Sequence, residues 1–143
     1  MHRTSYAILF FLVSIVLLAG CSSKEYIYQN NRFYGEGQYW QAEYIIESKK
    51  DPEDGSFKES KFEFIVIYKG DVSELKSVEQ LQMTIINDID EEISKIINFT
   101  DPPDKKVFRM SGGSSGSYIS EDDIFEVNVV WGDFEEKFEI FHN

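Results

Sequence analysis

Residues 37–143 are predicted to be all-β, an antiparallel β-sandwich of about seven strands, on three observations. Large apolar side chains recur with a period of two from Tyr39 onward. Turn sequences rich in Gly, Pro and Asp separate these runs at short intervals. The last two runs are joined by Gly132-Asp133, a two-residue connection of the kind hairpins favour.

The first run places Trp40, Ala42, Tyr44 and Ile46 on one side of a strand, with Gln41, Glu43 and Glu47 on the other. Asp51-Pro52-Glu53-Asp54-Gly55 reads as a turn, because Pro fixes φ and Gly permits positive φ. Residues 61–69 set Phe62, Phe64, Val66 and Tyr68 on one face. The opposite face carries Glu63, Ile65 and Ile67, so the middle of this strand is apolar on both sides and reads as central.

Residues 78–97 fit two templates. Leu81, Met83 and Ile85 alternate with Gln80, Gln82 and Thr84, as a strand would. Val78, Leu81, Ile85, Ile89, Ile93 and Ile96 also form a helical stripe. β-branched residues favour a strand to about Asn87, and residues 88–99 then form either a short helix or another strand. Pro102-Pro103 ends this region, residues 106–110 make a short strand, and Ser111 to Ser117 read as a Ser/Gly loop.

The closing hairpin is the clearest element. Phe125, Val127, Val129 and Trp131 alternate with Glu126, Asn128 and Val130; Phe134, Phe138 and Ile140 alternate with Glu135, Lys137 and Glu139. Burying each large apolar side chain contributes about 1.5–3 kcal/mol, so the alternation sets register as well as strand position. Among two-sheet folds of this strand number, the immunoglobulin-like arrangement is one that fits.

The N-terminus carries a different signal. Arg3 precedes an almost wholly apolar run from Tyr6 to Leu18, shorter than the roughly 20 residues a membrane span needs. Leu18-Ala19-Gly20-Cys21 follows and resembles the lipobox of bacterial lipoprotein precursors at all four positions. The resemblance implies that residues 1–20 are a signal peptide, and that Cys21 carries a diacylglyceryl group with palmitate-like acyl chains. The protein would then be held by its lipid at the extracytoplasmic face of the cell membrane. Cys21 is the only cysteine, so no intramolecular disulfide forms, and lipidation accounts for an unpaired thiol in an exported chain.

Residues 21–36 read as a polar tether, with Gln29-Asn30-Asn31 and Gly35-Glu36-Gly37 as breakers. Its tyrosines, Tyr26, Tyr28 and Tyr34, form an aromatic patch for a glycan or peptide or, more commonly, either pack back onto the domain or pair as a first edge strand. The order of lipobox, tether and β domain resembles that of small β-sandwich lipoproteins of Gram-positive bacteria, most of which have no assigned activity.

Charge and composition exclude several functions. The chain carries a net charge of −12; removing residues 1–20 takes away Arg3 and no acid, leaving −13. Such a surface repels nucleic acid. The part after Cys21 holds one histidine, His142, next to the C-terminal residue, and no further cysteine. A Ser-His-Asp or Cys-His site needs a base held by packing, so the expectation is that the protein is not an enzyme. Cys/His zinc sites are excluded on the same count, and no cofactor is expected.

Four carboxylate clusters remain: Asp51/Glu53/Asp54, Asp88/Asp90/Glu91/Glu92, Asp101/Asp104 and Glu121/Asp122/Asp123. None follows the EF-hand spacing. After Asp88 the position that needs Gly is Ile93, and the twelfth is Phe99. A weak Ca²⁺ site in the 121–123 turn is weighed against the default of solvated turn acids. Trp40 and Trp131 lie on apolar strand faces and read as core. Ser111 to Ser117 lacks the Lys of a phosphate-binding loop.

The expected function is therefore a non-catalytic, lipid-anchored binding or structural module of the envelope, contacting a protein partner through a sheet edge or an acidic face. The alternative is a lipoprotein that binds a small ligand, sugar or Ca²⁺, or that processes the cell wall.

Overall fold

The structure, a computed structural model, describes residues 24–114 and 119–143. Its strands are β1 (Ile27–Glu36), β2 (Trp40–Lys50), β3 (Phe57–Tyr68), β4 (Gln80–Ile86), β5 (Glu92–Asn98), β6 (Val107–Ser114), β7 (Phe125–Trp131) and β8 (Phe134–His142). A 3-10 turn at Val72–Leu75 is the helical element among the described residues. All eight strands pair antiparallel in one sheet, in the order β5-β4-β7-β8-β1-β2-β3-β6. The sheet curls until it is nearly a barrel.

The all-β antiparallel class is as the alternation predicts, with eight strands rather than about seven. They form one continuous curled sheet instead of the two facing sheets of a sandwich, immunoglobulin-like or otherwise. The joint that makes it continuous is short: β1 meets β8 only at Phe33↔His142 and Tyr34↔Phe141. Alternation reveals which way each side chain faces but carries nothing about which strands become neighbours.

Three local readings change. The stretch expected to be a tether is ordered chain from Lys24, and Ile27–Glu36 is strand β1, paired along its length with β2. Its inward positions include Gln29 and Asn31, so it has no apolar alternation to detect. Residues 88–99 hold no helix; β5 pairs with β4 from Gln80↔Asn98 to Ile86↔Glu92. The Ser/Gly stretch begins as strand, since β6 continues through Ser114. Gly112 eases this: a Cβ there would stand 2.7 Å from the Phe62 ring, which would have to turn aside.

One apolar core fills the curl. Phe33, Trp40, Phe64, Val66, Met83, Val127, Val129 and Ile140 are fully buried. Phe33 meets Phe125 edge-on with ring centroids 4.9 Å apart, and Trp40 meets Trp131 at 5.5 Å. Both tryptophans are core residues, as their strand faces predict. Turn chemistry at the ends is local. Asp71 accepts the Ser73 amide while Glu74 accepts the Asp71 amide, a capping box that starts the 3-10 turn.

Candidate functional site

The two edge strands, β5 and β6, face each other across an open seam. Among the described residues no ladder joins them. Lys95 bridges the gap instead: its ammonium donates to the Arg109 carbonyl at 2.9 Å. Lys95 pairs with Met83, so it stands on the inward face of β5, yet it is exposed because nothing covers the seam. An open groove of about 1150 Å³ follows the seam between Ile96–Asn98, the loop through Pro102-Pro103, and Val107–Arg109.

At one end the seam opens into a cleft of about 790 Å³. The β2–β3 turn, the β4–β5 turn and residues 119–124 before β7 all lie at this end of the sheet. The cleft floor is the inner face of the sheet: Tyr44 on β2, Phe62 on β3, Ile85 on β4 and Phe125 on β7. Burial pushes the Tyr44 phenol up to about 12, so the floor stays uncharged. Ile89, Ile93 and Ile119 form the walls.

The rim is acidic. Asp88 and Glu91 come from the β4–β5 turn, and Asp123 from the segment before β7; among the described residues no lysine or arginine lines the cleft. Local hydrogen bonds hold each segment. Asn87 Oδ1 accepts the amides of Ile89 and Glu91, and its Nδ2 donates to Glu91. The turn then passes through Asp90 at φ 60°, a left-handed position that Asp tolerates. Ile89, in the same turn, is 68 % exposed at the rim. On the other side, buried Asn31 donates to the Ile119 carbonyl at 2.8 Å and the Ser120 amide donates to Asp123. The polar residue that hid β1 in the sequence therefore positions a cleft wall.

The residues singled out in the sequence fall in several places. Cys21 lies outside the described residues. Asp51, Glu53 and Asp54 gather with Lys24 and Lys58 at the β2–β3 turn: Lys24 Nζ is 2.7 Å from Asp51 and 2.9 Å from Glu53. Lys24 holds the Asp51 carboxyl below the usual range, helped by the Glu53 amide. Hydrogen bonds from Ser56 and then Lys58 lower Asp54 likewise. Asp88 and Glu91 join Asp123 at the cleft, which sequence spacing did not reveal. Among the described residues no group of three or more His, Cys, Asp or Glu side chains is placed to hold a metal ion. His142 is exposed on β8, its ring edge-on to Phe33 at 5.6 Å. Tyr28 and Tyr34 are exposed, while Tyr26 lies beneath the Lys49 ammonium.

No protein-family profile matches this chain, and neither a curated protein nor a solved structure matches it. Among the described residues no helix is long and apolar enough to cross a membrane.

Proposed function

We propose that the protein is a non-catalytic binding module of the cell envelope, anchored through lipid on Cys21, that takes an extended segment of a protein partner along its open seam. One observation carries this reading: two unpaired strand edges face each other across an open groove that, among the described residues, Lys95 alone spans. An exposed strand edge offers a row of unpaired amides and carbonyls, and an added strand satisfies them while its alternate side chains supply specificity. The edge of β5 also carries exposed Ile96 beside Ser94, so it offers an apolar contact as well as backbone.

The lipobox resemblance at Leu18-Ala19-Gly20-Cys21 supports the anchor, and the scarcity of histidine and cysteine supports the absence of catalysis. Only Ser22 and Ser23 separate Cys21 from Lys24, so an anchored domain would stand within about 10 Å of its lipid rather than on a long tether.

The test is a photo-crosslinking amino acid at Ile96 in living cells, with and without Cys21→Ala. The expected result is an adduct with one envelope protein, and loss of membrane association in the Cys21→Ala chain. A chain anchored as expected that yields no adduct at Ile96 or Arg109 would remove the seam as the docking edge. Unchanged membrane association and mass in Cys21→Ala would remove the anchor.

A further inference from the structure

We propose that the cleft at the end of the seam is a second, distinct site, which binds an amphiphile with an apolar chain and a cationic group. Its volume, about 790 Å³, lies within the roughly 300–1,000 Å³ usual for small-ligand sites. Its floor comes from four different strands: Tyr44, Ile85 and Phe125 belong to the core itself, and half-buried Phe62 packs against it. An apolar body of chain or ring form therefore fits without displacing polar groups, and its burial drives binding.

The rim selects the charge. Asp88, Glu91 and Asp123 stand around the mouth with no basic side chain among the lining residues to neutralise them. An anionic headgroup would meet three carboxylates, whereas an ammonium or guanidinium group would be attracted to them. Asp88 and Glu91 sit on a turn organised by Asn87 and need no reordering to present that charge. Bare divalent cations are disfavoured, because these carboxylates do not converge on one point.

Placement suggests the source. Lys24 is fixed to Asp51 and Glu53 in the β2–β3 turn, which lies at the same end of the sheet as the cleft. If Cys21 is lipidated, as the proposed function holds, this end faces the membrane. A membrane amphiphile and one dissolved in water share the chemistry, and the test separates them.

The full chain, labelled at isoleucine methyl groups, would be held in nanodiscs of zwitterionic phospholipid. Decyltrimethylammonium, decyl sulfate and decyl maltoside would each be titrated below micelle-forming concentration. The cationic probe is expected to move the Ile85, Ile89, Ile93 and Ile119 signals while Ile45 stays fixed. Its binding should be about tenfold tighter than that of either comparison probe, and Asp88→Asn with Glu91→Gln should remove most of that preference.

Equal affinity for the three probes would overturn the cationic preference while leaving an apolar cleft. No movement with any probe would overturn the site altogether. Neither result touches the seam, which the Ile96 crosslink tests separately. A cationic diacyl lipid built into the nanodisc supplies the remaining arm: movement of the same signals there upholds the site with a membrane source, and movement with the soluble probe alone upholds it with an aqueous one.

Discussion

The carboxylate of Glu136 accepts the backbone amide of Trp40 at 2.9 Å, and the same group takes the amides of Gln38 and Tyr39. A side chain on β8 thus closes the turn between β1 and β2, across 96 residues of sequence. It supplements the two-residue contact by which β1 and β8 join the halves of the sheet.

Replacing Glu136 by Ala leaves three amides at that turn without their acceptor. Hydrogen bonds to charged groups are worth about 1.5–3 kcal/mol, so the variant is expected to lose about 2 kcal/mol in denaturant titration. Glu136→Gln, which keeps one acceptor oxygen, should recover part of the loss. A midpoint unchanged in Glu136→Ala would show that water replaces the carboxylate without cost.

Gly35 tests the same joint from the backbone side. A Cβ there would meet the Glu139 carbonyl oxygen on β8, a backbone atom that cannot rotate away. Gly35→Ala is expected to cost about 1–3 kcal/mol and to speed hydrogen exchange first in β8. Uniform exchange across the sheet would mean that the joint is no weaker than the rest.

Acid should weaken the protein through the β2–β3 turn. Lys24 and the Glu53 amide lower the Asp51 pKa, and the Ser56 and Lys58 partners lower that of Asp54. A carboxylate with a depressed folded-state pKa contributes stability that is complete above its unfolded value, about 3.9, and is lost as pH falls through the folded one. The melting midpoint is therefore expected to hold near neutrality and to drop below about pH 4. Asp51→Asn should flatten that acid limb; superimposable limbs for the two proteins would assign the loss to other groups.

Lys95→Met removes the hydrogen bond across the seam. The site is exposed, so global stability should change by no more than about 1 kcal/mol. Hydrogen exchange at the β5 amides paired with β4 is expected to quicken as the edge loosens, and crosslinking at Ile96 to rise. Unchanged exchange and crosslinking would mean that Lys95 neither steadies the β5 edge nor limits access to the seam.

How much of this was legible in the sequence depends on where each strand keeps its apolar residues. β7 and β8 were plain because Phe125, Val127, Val129 and Trp131 are buried at every second position and Gly132-Asp133 closes a two-residue turn. β2 and β3 were plain for the same reason. β1 reads as a tether, with a first edge strand as one outcome for its tyrosines, because Gln29 and Asn31 face inward while Tyr28 and Tyr34 face out; it lies inside the sheet, between β8 and β2. β5 stayed ambiguous because, beside the open seam, nearly all of it is exposed. The cleft was illegible because it is assembled from separate segments. Its rim acids read locally as solvated turn residues, and only the curl of the sheet brings Asp88 and Glu91 to the same opening as Asp123.

The pairing of β1 with β8 also dictates an order of assembly. A chain made from its N-terminus forms the β1–β2–β3 meander early, since those pairings are local. That meander presents Phe33, Trp40, Tyr44 and Phe64 on one side with nothing yet to cover them. Phe125, Val129 and Ile140, which complete the core, come from the last strands synthesised. Until they emerge, that meander exposes a broad aromatic surface, which makes the incomplete chain prone to association.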